Sequence, residues 1–340
     1  MKLATYKDGS RDGQLVVVSR DLSLAHYATG AAHTLQEVLD DWNFISPQLQ
    51  DVYAELCRGR ARHAFPFDPA MCMAPLPRAF QCVRGAACAS HRELLGEAGM
   101  ERHPPVRAGA GRVPAALMAL AGDAMLGATD PVLLADETQG LDFEAGLAFI
   151  TADIPQASPP ARALEGVRLL MLANTWCLRE WQTQELAAGV GMVQSRPAQA
   201  FGPVAITPDE LGEAWVQGRV NLVLQTQWNG RRMGLGEVGP DMALHAGQLL
   251  SQVAASRPLR AGTVVTTGPV SHPGTGAGSE RHWPKGSHCV AEKRAMEILQ
   301  QGQASTAYLR WGDTVRIDMK GRDGQSPLGV LAQQVQELHA

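Results

Sequence analysis

The sequence lacks the features that mark several large classes of protein. It has no tract of basic residues and a formal net charge of −4, so nothing predicts binding to nucleic acid or to an anionic membrane surface. No uninterrupted apolar run reaches the length of a membrane span, and the N-terminal segment has no apolar core of a signal peptide. These absences predict a cytoplasmic protein.

Paired cysteines are also missing. The six cysteines are scattered through apolar or small-residue contexts, and none forms a CxxC pair: Cys57, Cys72, Cys82, Cys88, Cys177 and Cys289. Neither a disulfide framework nor a cysteine-rich zinc site is indicated. We predict buried, reduced thiols that pack as small hydrophobic side chains.

What is present is typical of a globular protein. The chain has 340 residues, of which 45% are hydrophobic and 19% charged, enough for two domains of unequal size. Prolines interrupt regular structure over residues 65–77, because proline fixes its own φ and disfavours helix in the residue before it. This predicts a small N-terminal domain over 1–74 and a larger domain over 75–340.

The small domain combines strand and helix signals. An apolar run over 15–18 predicts a buried strand. Thr34-Leu-Gln-Glu37 has the form of a capping box, with apolar residues at helical spacing behind it. Ser46-Pro47 predicts the start of a second helix, with serine as the N-cap and proline at the first position.

The stretch 141–151 organises the larger domain. Its apolar residues alternate, which predicts one strand whose main apolar face is formed by Phe143, Ala145, Leu147 and Phe149. Glu144 and Gly146 share the other face. A carboxylate on a strand that is otherwise apolar is either a core residue whose charge is paired within the protein or a residue that lines a functional site.

Short strands dominate the remainder of the chain. Apolar or alternating runs over 168–173, 220–228, 264–270 and 314–319 predict strands, and Asn229-Gly230 is a strong signal for a type I′ hairpin. Helices are predicted over 208–215, 242–254 and 289–301. This pattern indicates a mainly β fold with some α-helix and excludes a doubly wound α/β sheet.

Several segments in order resemble the fumarylacetoacetate hydrolase family. They are the N-terminal module, Phe-Glu-Ala-Gly-Leu-Ala-Phe-Ile-Thr (143–151), Leu-Ala-Asn-Thr-Trp-Cys-Leu-Arg (172–179), Gln-Ser-Arg-Pro (194–197), the Trp-Asn-Gly hairpin and Ala-Gly-Thr-Val-Val-Thr-Thr-Gly (261–268). The resemblance implies a small α+β N-terminal domain and a C-terminal mixed β-sandwich roll, and a homodimer. It also implies enzymes that cleave C–C bonds of β-diketo acids or catalyse related reactions of oxo acids.

The resemblance further implies a divalent cation on oxygen ligands, but this chain departs from that pattern. The first glutamate of the family's pair matches Glu144, and the second falls on Gly146. The aspartate after the next strand falls on Thr175, and the loop aspartate falls on Arg84. Such a set cannot hold Mg²⁺ tightly beside one carboxylate. We predict no metal cofactor, with weak binding of Mg²⁺ or Ca²⁺ left open.

The other catalytic positions of the family are retained better. His91 and Glu292 match its histidine–glutamate dyad, and a histidine oriented by a carboxylate can serve as a general base. Arg196 stands at the position of the catalytic lysine. The expected substrate-binding residues are Arg84, Gln194, Thr175 and Thr267.

Two alternatives stay open for the site. Glu144 either forms an internal ion pair with Arg84 or Arg196, or these arginines bind a substrate carboxylate where the cation acted. Residues 272–288 predict a mobile glycine-rich lid, and a new metal site formed by His272, His282, His288 and Cys289 is the less favoured alternative.

The predicted function is that of an enzyme acting on a small β-dicarbonyl or oxo acid, by C–C hydrolysis or related enolate chemistry. The alternative is a catalytically inactive relative that binds a ligand or partners an active homologue.

Overall fold

A computed structural model describes residues 1–101, 117–189, 191–276, 280–321 and 323–339. Its helices are α1 (Leu35–Asp40), α2 (Trp42–Cys57), α3 (Ala89–Glu97), α4 (Pro160–Glu165), α5 (Arg179–Ala188), α6 (Ala246–Val253) and α7 (Val290–Gln301). Short 3-10 helices cover Pro69–Met71, Glu137–Gln139, Pro208–Ala214 and Gly239–Asp241. No helix in these ranges has the length and apolar character needed to cross a bilayer.

The strands are short, as the sequence predicted. They are β1 (Lys2–Tyr6), β2 (Gln14–Val18), β3 (Leu24–Tyr27), β4 (Phe65–Pro66), β5 (Cys82–Arg84), β6 (Met118–Leu120), β7 (Val132–Leu134), β8 (Leu141–Asp142), β9 (Ala145–Thr151), β10 (Val167–Thr175), β11 (Cys177–Leu178), β12 (Gln199–Phe201), β13 (Ala205–Ile206), β14 (Trp215–Val216), β15 (Arg219–Val220), β16 (Val223–Trp228), β17 (Arg231–Glu237), β18 (Val264–Thr266), β19 (Thr314–Lys320) and β20 (Val330–Glu337).

Two sheets carry the architecture. The larger has the order β4-β3-β2-β1-β13-β10-β9-β18-β5-β6, with β12 also paired to β10. The smaller has the order β17-β16-β19-β20-β7. The predicted fold, a mixed β roll with a small α+β N-terminal part, is confirmed. The N-terminal strands join the larger sheet through β1 and β13, so hydrogen bonds run continuously across the predicted domain boundary.

Strand β9 separates two hydrophobic cores because alternate side chains leave opposite faces. Leu147 and Phe149 belong to the core that also contains Ile317 of the smaller sheet. Ala148 and Ile150 belong to the core that α1 and α2 cover. Both faces of β9 are buried, which fixes the register of this central strand and of the site beside it.

Several predicted elements are present with altered bounds. The capping-box threonine caps α1 as predicted, with Thr34 Oγ1 accepting from the Glu37 N–H. The predicted start of the second helix at Ser46-Pro47 was wrong: α2 begins at Trp42 and contains Pro47. The Asp41 carbonyl already accepts hydrogen bonds from the N–H groups of Phe44 and Ile45. The chain is therefore helical before the proline.

Two further local predictions have clear outcomes. Asn229 and Gly230 both have positive φ, 50° and 73°, as a type I′ turn requires, and they join β16 to β17. All six cysteines are free thiols and five are buried, whereas Cys57 is exposed. Burial of Cys57 was therefore predicted wrongly.

Candidate functional site

Glu144 lies in the gap between β8 and β9, and its backbone is bonded to the end of β10. Its N–H donates to Asn174 Oδ1 at 3.0 Å, and its carbonyl accepts from the Thr175 N–H at 3.1 Å. A side-chain amide thus replaces a regular ladder bond at this point. The prediction of one continuous strand over 141–151 was wrong, because the strand is interrupted at the residue that carries the carboxylate.

The carboxylate of Glu144 is enclosed and accepts four hydrogen bonds. Oε1 accepts from Nη2 of Arg84 at 3.0 Å and from Nη2 of Arg179 at 2.9 Å. Oε2 accepts from Nε of Arg84 at 2.5 Å and from the Thr175 hydroxyl at 3.0 Å. Burial raises the pKa of this carboxyl group, but the guanidinium groups of Arg196, Arg84 and Arg179 outweigh burial and hold the pKa well below its ordinary value.

The three arginines come from separate parts of the chain. Arg84 ends β5, Arg179 opens α5, and Arg196 lies in the loop before β12. Nη1 of Arg196 is 3.0 Å from Oε2 of Glu144. The internal ion pairs that the sequence suggested for Arg84 and Arg196 are both formed, and Arg179 adds a third.

Asp142 connects this arginine cluster to the N-terminus of α7. It accepts from the N–H groups of Val290 and Ala291 at 2.6 and 3.0 Å, and from Nε of Arg179 at 2.9 Å. A carboxylate suits this position because the first N–H groups of a helix have no partner within the helix. Arg179 therefore bridges Asp142 and Glu144 and fixes the start of α7 relative to the cluster.

The predicted dyad is formed at the same end of α7. His91 lies on α3 and Glu292 in the first turn of α7, and Nδ1 of His91 is 2.9 Å from Oε1 of Glu292. Both residues are buried, at 7% and 1% exposure. Because an ionised carboxylate only accepts, the Nδ1–H donates to Glu292 and Nε2 keeps its lone pair.

Cys289 lies beside the dyad without forming a nucleophile–base pair. Its Sγ is 4.0 Å from Nδ1 of His91, the nitrogen that already serves Glu292. Burial raises the pKa of the Cys289 thiol well above its ordinary value, and the Glu292 carboxylate raises it further. Possible ligand atoms of these three residues lie within 4.8 Å of one another, so the described part of the chain contains one grouping that could bind a metal weakly.

The remaining predicted substrate-binding residues have different surroundings. Thr175 contacts Glu144 directly. Gln194 is exposed, and its N–H donates to Glu185. The Thr267 hydroxyl is buried, accepts from the Leu147 N–H at 3.1 Å and donates to a backbone carbonyl. The structure therefore brings Thr175, Arg84 and Arg196 together but does not bring Gln194 to them.

Sequence reasoning missed Arg179 and Asp142. The structure places Arg179 at the N-terminus of α5, where a cation is unfavourable unless an anion holds it. Asp142 precedes Glu144 by two residues, so the pair of acidic residues was visible. Their partnership depends on where α5 and α7 begin, which local sequence does not specify.

The residues at the family's cation position do not fit a divalent cation. Three guanidinium groups surround the only carboxylate that matches a ligand position, and donors cannot coordinate a hard cation. Gly146 cannot be replaced by a ligand without movement, because a Cβ there would lie 2.2 Å from the Gly268 carbonyl oxygen. We therefore derive no step through a metal at this position.

The histidines of the 272–288 segment form a different arrangement from the predicted lid. His272 and His288 are buried with their Nε2 atoms 3.2 Å apart, and His272 Nδ1 is 2.6 Å from Asp241 Oδ2. Their rings pack where side chains at Gly234 and Gly236 of β17 would collide. The mobile-lid prediction is wrong for these two anchored ends, and residues 277–279 lie outside the described residues.

The proposed histidine metal site is not formed by its four predicted members. His282 is exposed and contacts Thr275, and Cys289 contacts His91 instead of the buried imidazole pair. The 3.2 Å separation between His272 and His288 is that of an N–H···N hydrogen bond.

Burial of His288 predicts acid-sensitive stability. Burial lowers its pKa to about 3, and His272 adds to the lowering, whereas the ordinary value is 6.5. The unfolded chain therefore takes up the proton first as the pH falls. Below about pH 6.5 and down to about pH 3, we expect this group to reduce the free energy of unfolding by about 1.4 kcal/mol per pH unit.

Urea denaturation at a series of pH values measures this slope. His288→Gln should flatten it, whereas His33→Gln, at an exposed position, should leave it unchanged. An undiminished slope in His288→Gln would show that another group is responsible.

The fold is a mixed β roll with a small α+β N-terminal part, and its candidate site is a carboxylate enclosed by three arginines. The model of the fumarylacetoacetase N-terminal domain 2 matches residues 1–78, and that of the fumarylacetoacetate hydrolase C-terminal domain matches residues 83–336. The chain belongs to the fumarylacetoacetate hydrolase family. No curated protein in the comparison matched it.

Solved structures with this fold include enzymes of several activities. Fumarylacetoacetate hydrolase from Exiguobacterium antarcticum has a TM-score of 0.65 and 21% identity, over 99% of this chain and 100% of that one. Maleylpyruvate hydrolase from a Sphingobium species, in complex with manganese(II) and pyruvate, has 0.65 and 15% over all of both chains. A 5-carboxymethyl-2-hydroxymuconate delta-isomerase from Mycobacterium smegmatis has 0.59 and 16%, also over all of both chains.

Proposed function

We propose that this protein is an enzyme that acts on a small β-dicarbonyl or oxo acid, by C–C bond hydrolysis or related enolate chemistry. The observation that carries the proposal is the buried His91–Glu292 pair at 2.9 Å, at the end of α7 that the arginine cluster also contacts. A base beside fixed positive charge is suited to reactions that develop an enolate or oxyanion.

His91 is the proposed general base. With Nδ1–H donated to Glu292, Nε2 can accept a proton from water or from a carbon next to a carbonyl group. In the hydrolytic reaction the activated water attacks the ketone carbon, the C–C bond breaks, and the departing enolate takes up a proton. In the isomerisation reaction the same nitrogen moves a proton between carbons.

The arginines do not share one role in this proposal. Arg84 gives Nε and Nη2 to Glu144 and so is committed to the internal ion pair. Arg196 contacts Glu144 through Nη1, and its Nε and Nη2 can donate to an anion. This supports Arg196 over Arg84 as the anion-binding arginine.

The family resemblance and the named activities of the neighbours support an enzyme. The maleylpyruvate hydrolase structure holds manganese(II), whereas the residues around Glu144 do not fit a divalent cation. We propose that no divalent cation is tightly bound at the Glu144 position, and that the protein forms a homodimer.

The competing proposal is a catalytically inactive protein of this fold. The observation that favours it is burial: exposure of the His91 side chain is 9% and that of the Glu292 side chain is 1%. A buried dyad can survive as a structural ion pair without turning over a substrate.

A turnover assay in the presence of a chelator separates these proposals. A panel of 2-oxo and β-dicarbonyl acids would be incubated with the protein in excess EDTA, and products identified by mass spectrometry. We expect turnover of at least one acid that EDTA does not reduce, and elemental analysis well below one Mg, Ca or Mn per chain. Stoichiometric metal, or activity that EDTA abolishes, would contradict the metal-free proposal; no turnover of any acid would favour the inactive protein.

A further inference from the structure

Arg196 is a buried guanidinium group whose Nε and Nη2 have no hydrogen-bond acceptor in the described part of the chain. The residue is 3% exposed. Its Nη1 lies 3.0 Å from Oε2 of Glu144 and pairs with that carboxylate. A buried charged donor left in this state is rare in folded proteins, because the group has lost water and gained no acceptor.

The reason lies in the carboxylate of Glu144. A carboxylate offers about four lone-pair positions. Arg84 occupies two of them, and Arg179 and Thr175 occupy one each. Glu144 therefore pairs with Nη1 of Arg196 but has no capacity left for Nε and Nη2.

One neighbouring donor shares this condition. Gln199 Nε2 is buried without a partner, at 2% residue exposure. Gln199 lies directly opposite Thr175 in the β10–β12 pair, so both side chains leave the same face of the sheet. Because the Thr175 hydroxyl contacts Glu144, the amide of Gln199 is on the side of the arginine cluster.

The chemistry of these groups selects the ligand. Guanidinium and amide N–H groups donate and do not coordinate cations, so a ligand that binds them offers acceptor atoms. The guanidinium fork matches the two oxygens of a planar carboxylate, and the amide can donate to one of them.

We propose that Arg196, with Gln199, binds the carboxylate of the substrate. This inference rests on the proposed function, because it names the part of the oxo acid that the site holds. The substrate class is then a 2-oxo or β-dicarbonyl acid whose carboxylate binds to a guanidinium group instead of a metal ion.

A short series of backbone hydrogen bonds connects the segment that carries Glu144 to the His91–Glu292 dyad. Next to Glu144, the Ala145 N–H donates to the carbonyl of His288 at 3.0 Å, and the His288 N–H is 3.5 Å from Oε2 of Glu292. Glu292 in turn holds His91.

Calorimetric titration tests the site without needing catalysis. The full-length protein in EDTA would be titrated with pyruvate, the smallest 2-oxo acid, and separately with chloride. We expect one pyruvate per chain. Gln199→Glu should weaken binding by roughly 10- to 100-fold, because it replaces a donor by a carboxylate. Arg196→Met should abolish it, and Arg260→Met, at an exposed arginine, should leave it unchanged.

Several outcomes would overturn the proposal. These are unchanged pyruvate affinity in folded Gln199→Glu, binding that appears only when a divalent cation is added, and chloride binding as tight as that of pyruvate. Melting curves establish that each variant is folded, and Gln199→Glu remains informative if Arg196→Met does not fold.

Failure of this inference can be told from failure of the proposed function. Pyruvate binding that depends on Gln199, in a protein that turns over no acid, supports the anion site and counts against the enzyme. Turnover with a KM that is insensitive to Gln199→Glu overturns the anion site and leaves the enzyme standing.

Discussion

Replacement of Glu144 by glutamine is expected to lower the free energy of unfolding by about 3–5 kcal/mol. The carboxylate is enclosed and faces Arg84, Arg179 and Arg196 at 2.5–3.0 Å. The neutral amide would remove the charge that balances them and would place an NH₂ group against donors. Breaking a buried ion pair from one side is costly because the remaining charges cannot regain water.

Urea denaturation followed by circular dichroism measures this loss. The matched control is Asp153→Asn, which breaks the exposed pair with Arg260, where the side chains are 62% and 72% exposed. That control should cost less than about 1 kcal/mol, since exposed ion pairs are screened by water and salt. Equal stability of Glu144→Gln and Asp153→Asn would show that the cluster does not depend on the Glu144 charge.

Replacement of His91 by glutamine is expected to lower kcat for the oxo acid by roughly 10²- to 10⁴-fold, the usual contribution of a general base. Glutamine can still donate to the Glu292 carboxylate but cannot accept and return a proton. Alanine is the poorer test, because it would leave Glu292, which is 1% exposed, charged and without this partner.

Steady-state kinetics and melting curves on the same preparations separate the two effects. Glu292→Gln should also reduce kcat, because it removes the carboxylate that orients His91. His33→Gln, at an exposed position, should change neither quantity. Wild-type turnover by a folded His91→Gln protein would exclude His91 as the base.

Local elements were predictable where short-range chemistry decides them. The threonine cap of α1 and the Asn229-Gly230 turn depend on residues within a few positions of one another, and both are present. The predicted helix start at Ser46-Pro47 failed for the opposite reason. It relied on the local serine–proline signal, whereas the helix already begins at Trp42, after Asp41.

The sequence by itself determined the family and the mainly β fold, and it predicted that Arg84, Gly146 and Thr175 replace oxygen ligands of the family. These conclusions follow from residue identity and spacing along the chain. The resemblance to the family also indicated His91 and Glu292 as a dyad. These residues are 201 positions apart in sequence, and Nδ1 of His91 is 2.9 Å from Oε1 of Glu292.

Only the tertiary structure decided what Glu144 binds today. Arg179 joins the cluster because α5 begins at that residue, and its bond to Asp142 is fixed by the start of α7. The four acceptor positions of Glu144 are filled by residues 31 to 60 positions away, so Nε and Nη2 of Arg196 are left without an acceptor. Each lone pair of the carboxylate accepts one hydrogen bond. Which donors occupy them depends on how distant segments pack together, and local sequence does not specify that packing.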